Sequence, residues 1–177
     1  LWSLEGLKHY DRALMATFLK SDLPDLRREA VRAMGSMPVR PNELATVLKP
    51  FVAETHVMVR SQVLRTLADY GKSNPELIDL AVSFCLPDTK SEKLGGDYER
   101  KFERYLARMV LEQYPKELDR YLNSPLAAKQ PESHLAWAEQ ALSIDERAKK
   151  FLARWDSIKD QPLGEDDFKT ACGLLRS

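Results

Sequence analysis

The chain has 177 residues, of which 44% are hydrophobic and 31% charged, enough to bury a sizeable core and too apolar for a disordered polymer. Its 27 basic and 27 acidic residues cancel, which argues against a general nucleic-acid binder or an anionic-membrane binder. Seven glycines make a hairpin-rich all-β protein a poor fit, and no apolar run reaches the roughly 18 residues of a membrane span.

The opening "LWSLEGL" does not begin with Met and has no charged segment ahead of an apolar core. It reads as the second helix of an earlier, truncated helix pair, and the chain as a segment of something longer. Leu14, Phe18 and Leu19 then form a helical stripe. A break at Asp22 and Pro24 follows, and Leu26, Ala30, Val31 and Met34 start a second helix, giving one antiparallel pair. A second pair is predicted over Asn42 to Ala53, with Pro50 kinking or ending its first helix, and over Met58 to Tyr70, closed by Gly71. Asn74 and Pro75 open a third pair as cap and first residue.

These pairs repeat. Leu26, Arg27, Ala30, Val31, Arg32 and Met34 fall on Val59, Arg60, Val63, Leu64, Arg65 and Leu67 at an offset of 33. Leu44, Val47 and Phe51 fall on Leu77, Leu80 and Phe84 at the same offset. A helix pair that recurs at this spacing implies a solenoid, in which each pair buries its faces against its neighbours. The register breaks at 86–97, where about eleven added residues precede a helix expected to be capped by Asp97. Residues 1–114 are therefore assigned to the repeats. Residues 115–177 are assigned to a less regular helical extension, with a Ser143/Glu146 capping box and a last helix after Gly164.

No catalytic or cofactor fingerprint stands out. His9, His56 and His134 have no partner at helical spacing and read as exposed or core-edge imidazoles. Cys85 and Cys172 belong to no CxxC pair; a disulfide between them stays open. Glu165, Asp166 and Asp167 suit a helix start, Gly95–Gly96 is a lone loop pair, and Trp2, Trp137 and Trp155 are expected in the core. The repeated arginines carry the sharpest expectation. Arg27 and Arg60 should form a structural ladder with acidic residues near the inter-helix turns: Asp22, Asp25 or Glu54. The competing reading is a basic face that grips phosphates, which net neutrality disfavours.

The segments "PDLRREAVRAMG" and "HVMVRSQVLRTLA" resemble HEAT repeats of the short bacterial kind, whose second helix opens with a hydrophobic–Arg pair after an acidic or Pro-containing turn. The resemblance covers residues 1 to 85, extends loosely over 97 to 114, and implies an all-α right-handed superhelix. The stretch from Leu1 to Gly35 also resembles the HEAT segment of large exported bacterial proteins. In those, a quinoprotein- or sorbosone-dehydrogenase-like propeller precedes the array and a c-type cytochrome domain follows. That likeness implies a periplasmic or extracellular parent, with quinone or haem cofactors outside these residues and none bound within them. In arrays of this type the second helices line the concave side, so Arg28, Arg32, Ser61, Arg65 and Asp69 should face a groove of mixed charge. Such a face suits a protein partner or a neighbouring domain of the same chain. The expectation is thus a non-catalytic scaffold without nucleic-acid partners; the alternative is a DNA-binding array like the HEAT-like alkylpurine glycosylases.

Overall fold

The computed structural model describes residues 2–86, 95–160 and 162–174. Helix follows helix: α1 (Trp2–Gly6), α2 (Arg12–Leu19), α3 (Pro24–Met34), α4 (Pro41–Leu48), α5 (Val57–Tyr70) and α6 (Pro75–Ser83). After the 86–97 segment, of which residues 87–94 lie outside those described, come α7 (Asp97–Glu112), α8 (Pro115–Leu122), α9 (Glu132–Glu139), α10 (Ile144–Ile158) and α11 (Glu165–Leu174). The protein is all-helical over the described residues, and none of its helices there is long and apolar enough to cross a membrane.

Local chemistry sets most boundaries. The Asp11 carboxylate accepts the Leu14 N–H at 3.0 Å and opens α2, and Asn74 does the same for Leu77 at 2.8 Å ahead of Pro75. Pro50 ends α4 by forcing a tighter 3-10 turn over Lys49–Ala53, because proline removes a helical donor. Gly71 closes α5 at φ +67°, a left-handed conformation that glycine adopts without strain. The start of α7 differs from expectation. Gly96, not Asp97, is its cap, and the Glu99 side chain reaches back to the Gly96 N–H at 2.9 Å. Gly95 sits at φ +84°, where an added Cβ would lie 2.7 Å from the Glu99 side chain, so this lone glycine pair is a tight helix entry.

The helices stack in two rows. α3, α5 and α7 lie side by side, and α4, α6 and α8 form a second row laid against them. α2 packs mainly on α3 and is joined to α4 by the Arg12–Glu43 ion pair. α9 closes over α6 and α7, and α10 and α11 pack beyond it. One continuous apolar core runs through both rows, from Met15 through Val31, Leu44, Val63, Leu64, Ile78, Phe84 and Leu111 to Leu118 and Leu142. α5 sits between two neighbours and buries both flanks, so Ser61, Gln62 and Thr66 are buried along with its apolar stripe. The Thr66 hydroxyl donates to the Val31 carbonyl at 2.9 Å and the Tyr70 hydroxyl to the Val39 carbonyl at 2.6 Å. Both bonds fix α5 against the preceding pair.

Candidate functional site

Among the described residues, three arginines, two carboxylates and the turn carbonyls form a ladder. Arg27, Arg60 and Arg100 are each the fourth residue of their helix, in α3, α5 and α7. From that position a side chain leans back over the helix start, toward the turn that precedes it. Arg27 donates to the carbonyls of Ser21 and Asp22 at 2.8 and 3.1 Å. Its Nε and Nη2 also form a two-pronged contact with Glu54, at 2.8 and 3.0 Å. Arg60 repeats the arrangement one pair later. It donates to the Val52 and Glu54 carbonyls at 2.6 and 2.9 Å and grips Glu103 with two bonds of 2.8 Å. Arg100 then closes on the same Glu103 carboxylate with two bonds of 2.9 Å.

Glu54 joins the rungs. Its carboxylate takes Arg27 and the backbone N–H groups of Thr55 and His56, while its carbonyl takes Arg60. Burial pulls this carboxyl upward, but the bonds from Arg27 and from the His56 and Thr55 backbone outweigh it and hold it below the ordinary carboxylate value. The Arg60–Glu103–Arg100 group is almost fully buried, at 2%, 1% and 2% exposure. Arg60 also faces the Val52 and Glu54 carbonyl oxygens, and its guanidinium lies 4.9 Å from the centre of the Phe84 ring.

Two of the acidic residues expected in the ladder take other roles. Asp22 contributes its backbone carbonyl to Arg27. Asp25 is two residues from Arg27, on another side of the helix, and its carboxylate lies 3.5 Å from Arg28 instead. Arg100 and Glu103 were not readable as rungs, because Arg60 and Arg100 are 40 residues apart rather than 33. The recoverable signal was position: an arginine at the fourth residue of each second helix.

The five residues expected on a shared face have separate fates. Arg32 is held by Glu5 of α1 at 2.7 and 3.0 Å and by Glu29 at 2.9 Å. The Arg32 and Ser36 bonds keep Glu5 below its ordinary value. Arg28 is half-buried beside Glu29 and Asp25. Ser61 is buried, because α5 has a neighbour on each side. Arg65 and Asp69 are exposed. The Arg65 guanidinium lies 5.9 Å from the centre of the Phe102 ring, and Phe102 stacks on Tyr98 with ring planes 4° apart. Tyr98 and Tyr105 are 74% and 61% exposed and flank Phe102 on one side of α7, at i, i+4 and i+7. The exposed part of this surface is therefore aromatic as well as charged.

Other expected residues fall outside it. Trp2 is largely exposed rather than core. It lies on a five-residue helix that is tied to the next pair through Glu5. Trp155 is partly exposed at 41%. Trp137 is half-buried, with its indole N–H on the Arg104 carbonyl at 2.9 Å and the Arg104 guanidinium 3.9 Å from the ring centre. Asp167 pairs with Arg154, while the side chains of Glu165 and Asp166 lie outside the described residues. His134 is buried at the core edge and pushed below its ordinary value by burial. Cys85 is buried, Cys172 is half-buried, and no disulfide joins the two. Among the described residues no group of His, Cys, Asp or Glu is placed to hold a metal ion. Compared with protein-family models, curated proteins and solved structures, the chain matches none.

Proposed function

We propose that the chain is a non-catalytic helical-repeat scaffold whose second-helix row, α3, α5 and α7, carries a docking face for a protein partner or a neighbouring domain. In this reading the two rows continue as a curved, HEAT-like stack. The observation that carries it is the engagement of the basic residues. Arg27, Arg32, Arg60 and Arg100 are all tied to carboxylates within the fold, so a uniform grip on phosphates has few cations to draw on. Arg65, Asp69, Tyr98 and Tyr105 remain outward, a mixture of both charges and aromatic surface typical of protein contacts. The larger parent, an exported bacterial redox protein with quinone or haem groups in other domains, rests on the resemblance of residues 1 to 35 alone. A periplasmic or extracellular location rests on the same resemblance.

The test is a titration of the chain with the flanking domains of its parent, supplied separately. Arg65→Glu combined with Tyr105→Ser should weaken association about tenfold or more, with an unchanged helical spectrum and melting temperature. Unweakened association would remove this face as the docking surface. Binding of duplex DNA that falls steeply with salt would favour the array as a nucleic-acid binder instead.

A further inference from the structure

A groove of about 660 Å³ opens between α2 and α4, in the row opposite the docking face. It exists because the outer helices are not evenly packed: α4 rests closely on α6, whereas α2 packs mainly on α3 and reaches α4 through the Arg12–Glu43 pair. The floor is apolar, made by Met15, Leu19, Val47 and Phe51. Met15 and Phe51 are buried beneath it, and Ala16 and Thr46 face the opening from the two helices. A volume of this size lies within the range of roughly 300–1,000 Å³ that holds small molecules, and an apolar wall with a few polar groups at its edge is the usual composition.

The charges at the rim are sorted. Glu43 is paired with Arg12 at 2.9 Å, and Glu54 with Arg27 at 2.8 Å. Both carboxylates that line the groove are therefore compensated. Lys20, at the C-terminal end of α2, also lines it, is exposed, and makes no ion pair among the described residues. The groove thus presents hydrocarbon below and one uncompensated positive charge at its edge. A neutral apolar ligand would leave that charge unused, and a dianion would meet the Glu43 and Glu54 carboxylates.

We propose that the α2–α4 groove is a binding site for a small amphipathic monoanion, its hydrocarbon body laid on Met15, Leu19, Val47 and Phe51 and its carboxylate or sulfonate head at Lys20. This site is independent of the docking face and stands or falls without it.

Two dyes that differ in charge give the test. 8-Anilinonaphthalene-1-sulfonate carries one sulfonate, and N-phenyl-1-naphthylamine has the same rings without it. The folded chain should bind the sulfonate at one site, with enhanced fluorescence, and more tightly than the neutral dye. Ala16→Trp should abolish that binding by filling the opening, with helicity and melting temperature unchanged. Thr46→Trp fills it from the facing helix and keeps the test intact if the first variant does not fold. Lys20→Glu should weaken the sulfonate about three- to tenfold and leave the neutral dye unaffected. Sulfonate binding that survives both tryptophan variants overturns the proposal. So does a Lys20→Glu effect equal for the two dyes, which would make Lys20 part of the groove's framework. A self-associating chain that the tryptophan variants convert to monomer, with no dye bound, would make the groove a contact between copies and end the ligand reading.

Discussion

The two seams of the inner row, α3 against α5 and α5 against α7, are tied by equivalent arginines in different surroundings. At the first seam Arg27 and Glu54 keep 17% and 9% of their side-chain surface in solvent. At the second seam Arg60 and Glu103 keep 2% and 1%, and a second arginine, Arg100, shares the carboxylate. The bond lengths are nearly the same. The consequence of losing a partner is not, because an uncompensated charge at the first seam can be reached by water and one at the second cannot. The repeat fixes where the arginine goes; depth in the stack sets what it is worth.

Breaking the deeper rung is the most direct challenge to that contrast. Glu103→Ala removes the buried carboxylate that Arg60 and Arg100 share and should lower stability by about 3–5 kcal/mol, read as a shift in the denaturant midpoint. A loss below about 1 kcal/mol would mean that water enters the second seam. At the first seam Arg27→Ala should cost about 1–2 kcal/mol. The same variant should also change the acid response. Glu54 is held below its ordinary value, so it contributes stability that is present above the ordinary carboxylate range and lost as pH falls through its lowered value. Arg27→Ala should narrow that loss, and an unchanged acid limb would disconnect Arg27 from Glu54.

His134 sharpens the comparison at a third location, where α9 meets the α6–α7 edge. Its folded value lies below the ordinary 6.5, because burial disfavours the charged ring, while a bond involving the Val82 backbone partly opposes this. The unfolded chain therefore binds the proton first, and stability should fall as pH drops below about 6.5. His134→Gln should flatten that fall when melting temperature is followed against pH; an identical slope would assign it to other groups. The smallest effect is expected at the surface. Arg12 pairs with Glu43 but is 74% exposed, so Arg12→Ala should change stability by less than about 0.5 kcal/mol. A larger change would show that this pair holds α2 in place.

The sequence was informative where the physics is local. Helix identity, the turn at Gly71, the caps at Asn74 and Ser143 and the break at Pro50 depend on a few adjacent residues, and each is where its chemistry puts it. The ladder was half legible. An offset of 33 exposed Arg27 and Arg60, and the inter-helix turn offered Glu54, which is the carboxylate that Arg27 takes. The Arg60 carboxylate, Glu103, lies 43 residues away, and no local pattern announces a partner at that separation. The insertion hid Arg100 by shifting the phase of the repeat. Ser61 departs from expectation because a helical wheel has one buried side, whereas a central helix such as α5 is also covered on both flanks. The α2–α4 groove was not legible at all, since it depends on how far apart two helices rest.

The Arg60–Glu103 rung also bears on how the molecule assembles. Each rung bonds the turn ahead of its own helix to a residue supplied by the next pair, and for Arg60 that residue arrives 43 positions later. Until α7 docks, Arg60 has two carbonyls but no carboxylate, so α5 cannot reach its final free energy on its own. Adjacent pairs in this stack are therefore coupled in folding, more strongly across the second seam than across the first. A chain ended at residue 86 should lose more than the helices removed: the pair centred on α5 should exchange its amide hydrogens faster, while α3, whose acceptor Glu54 is still present, keeps its protection.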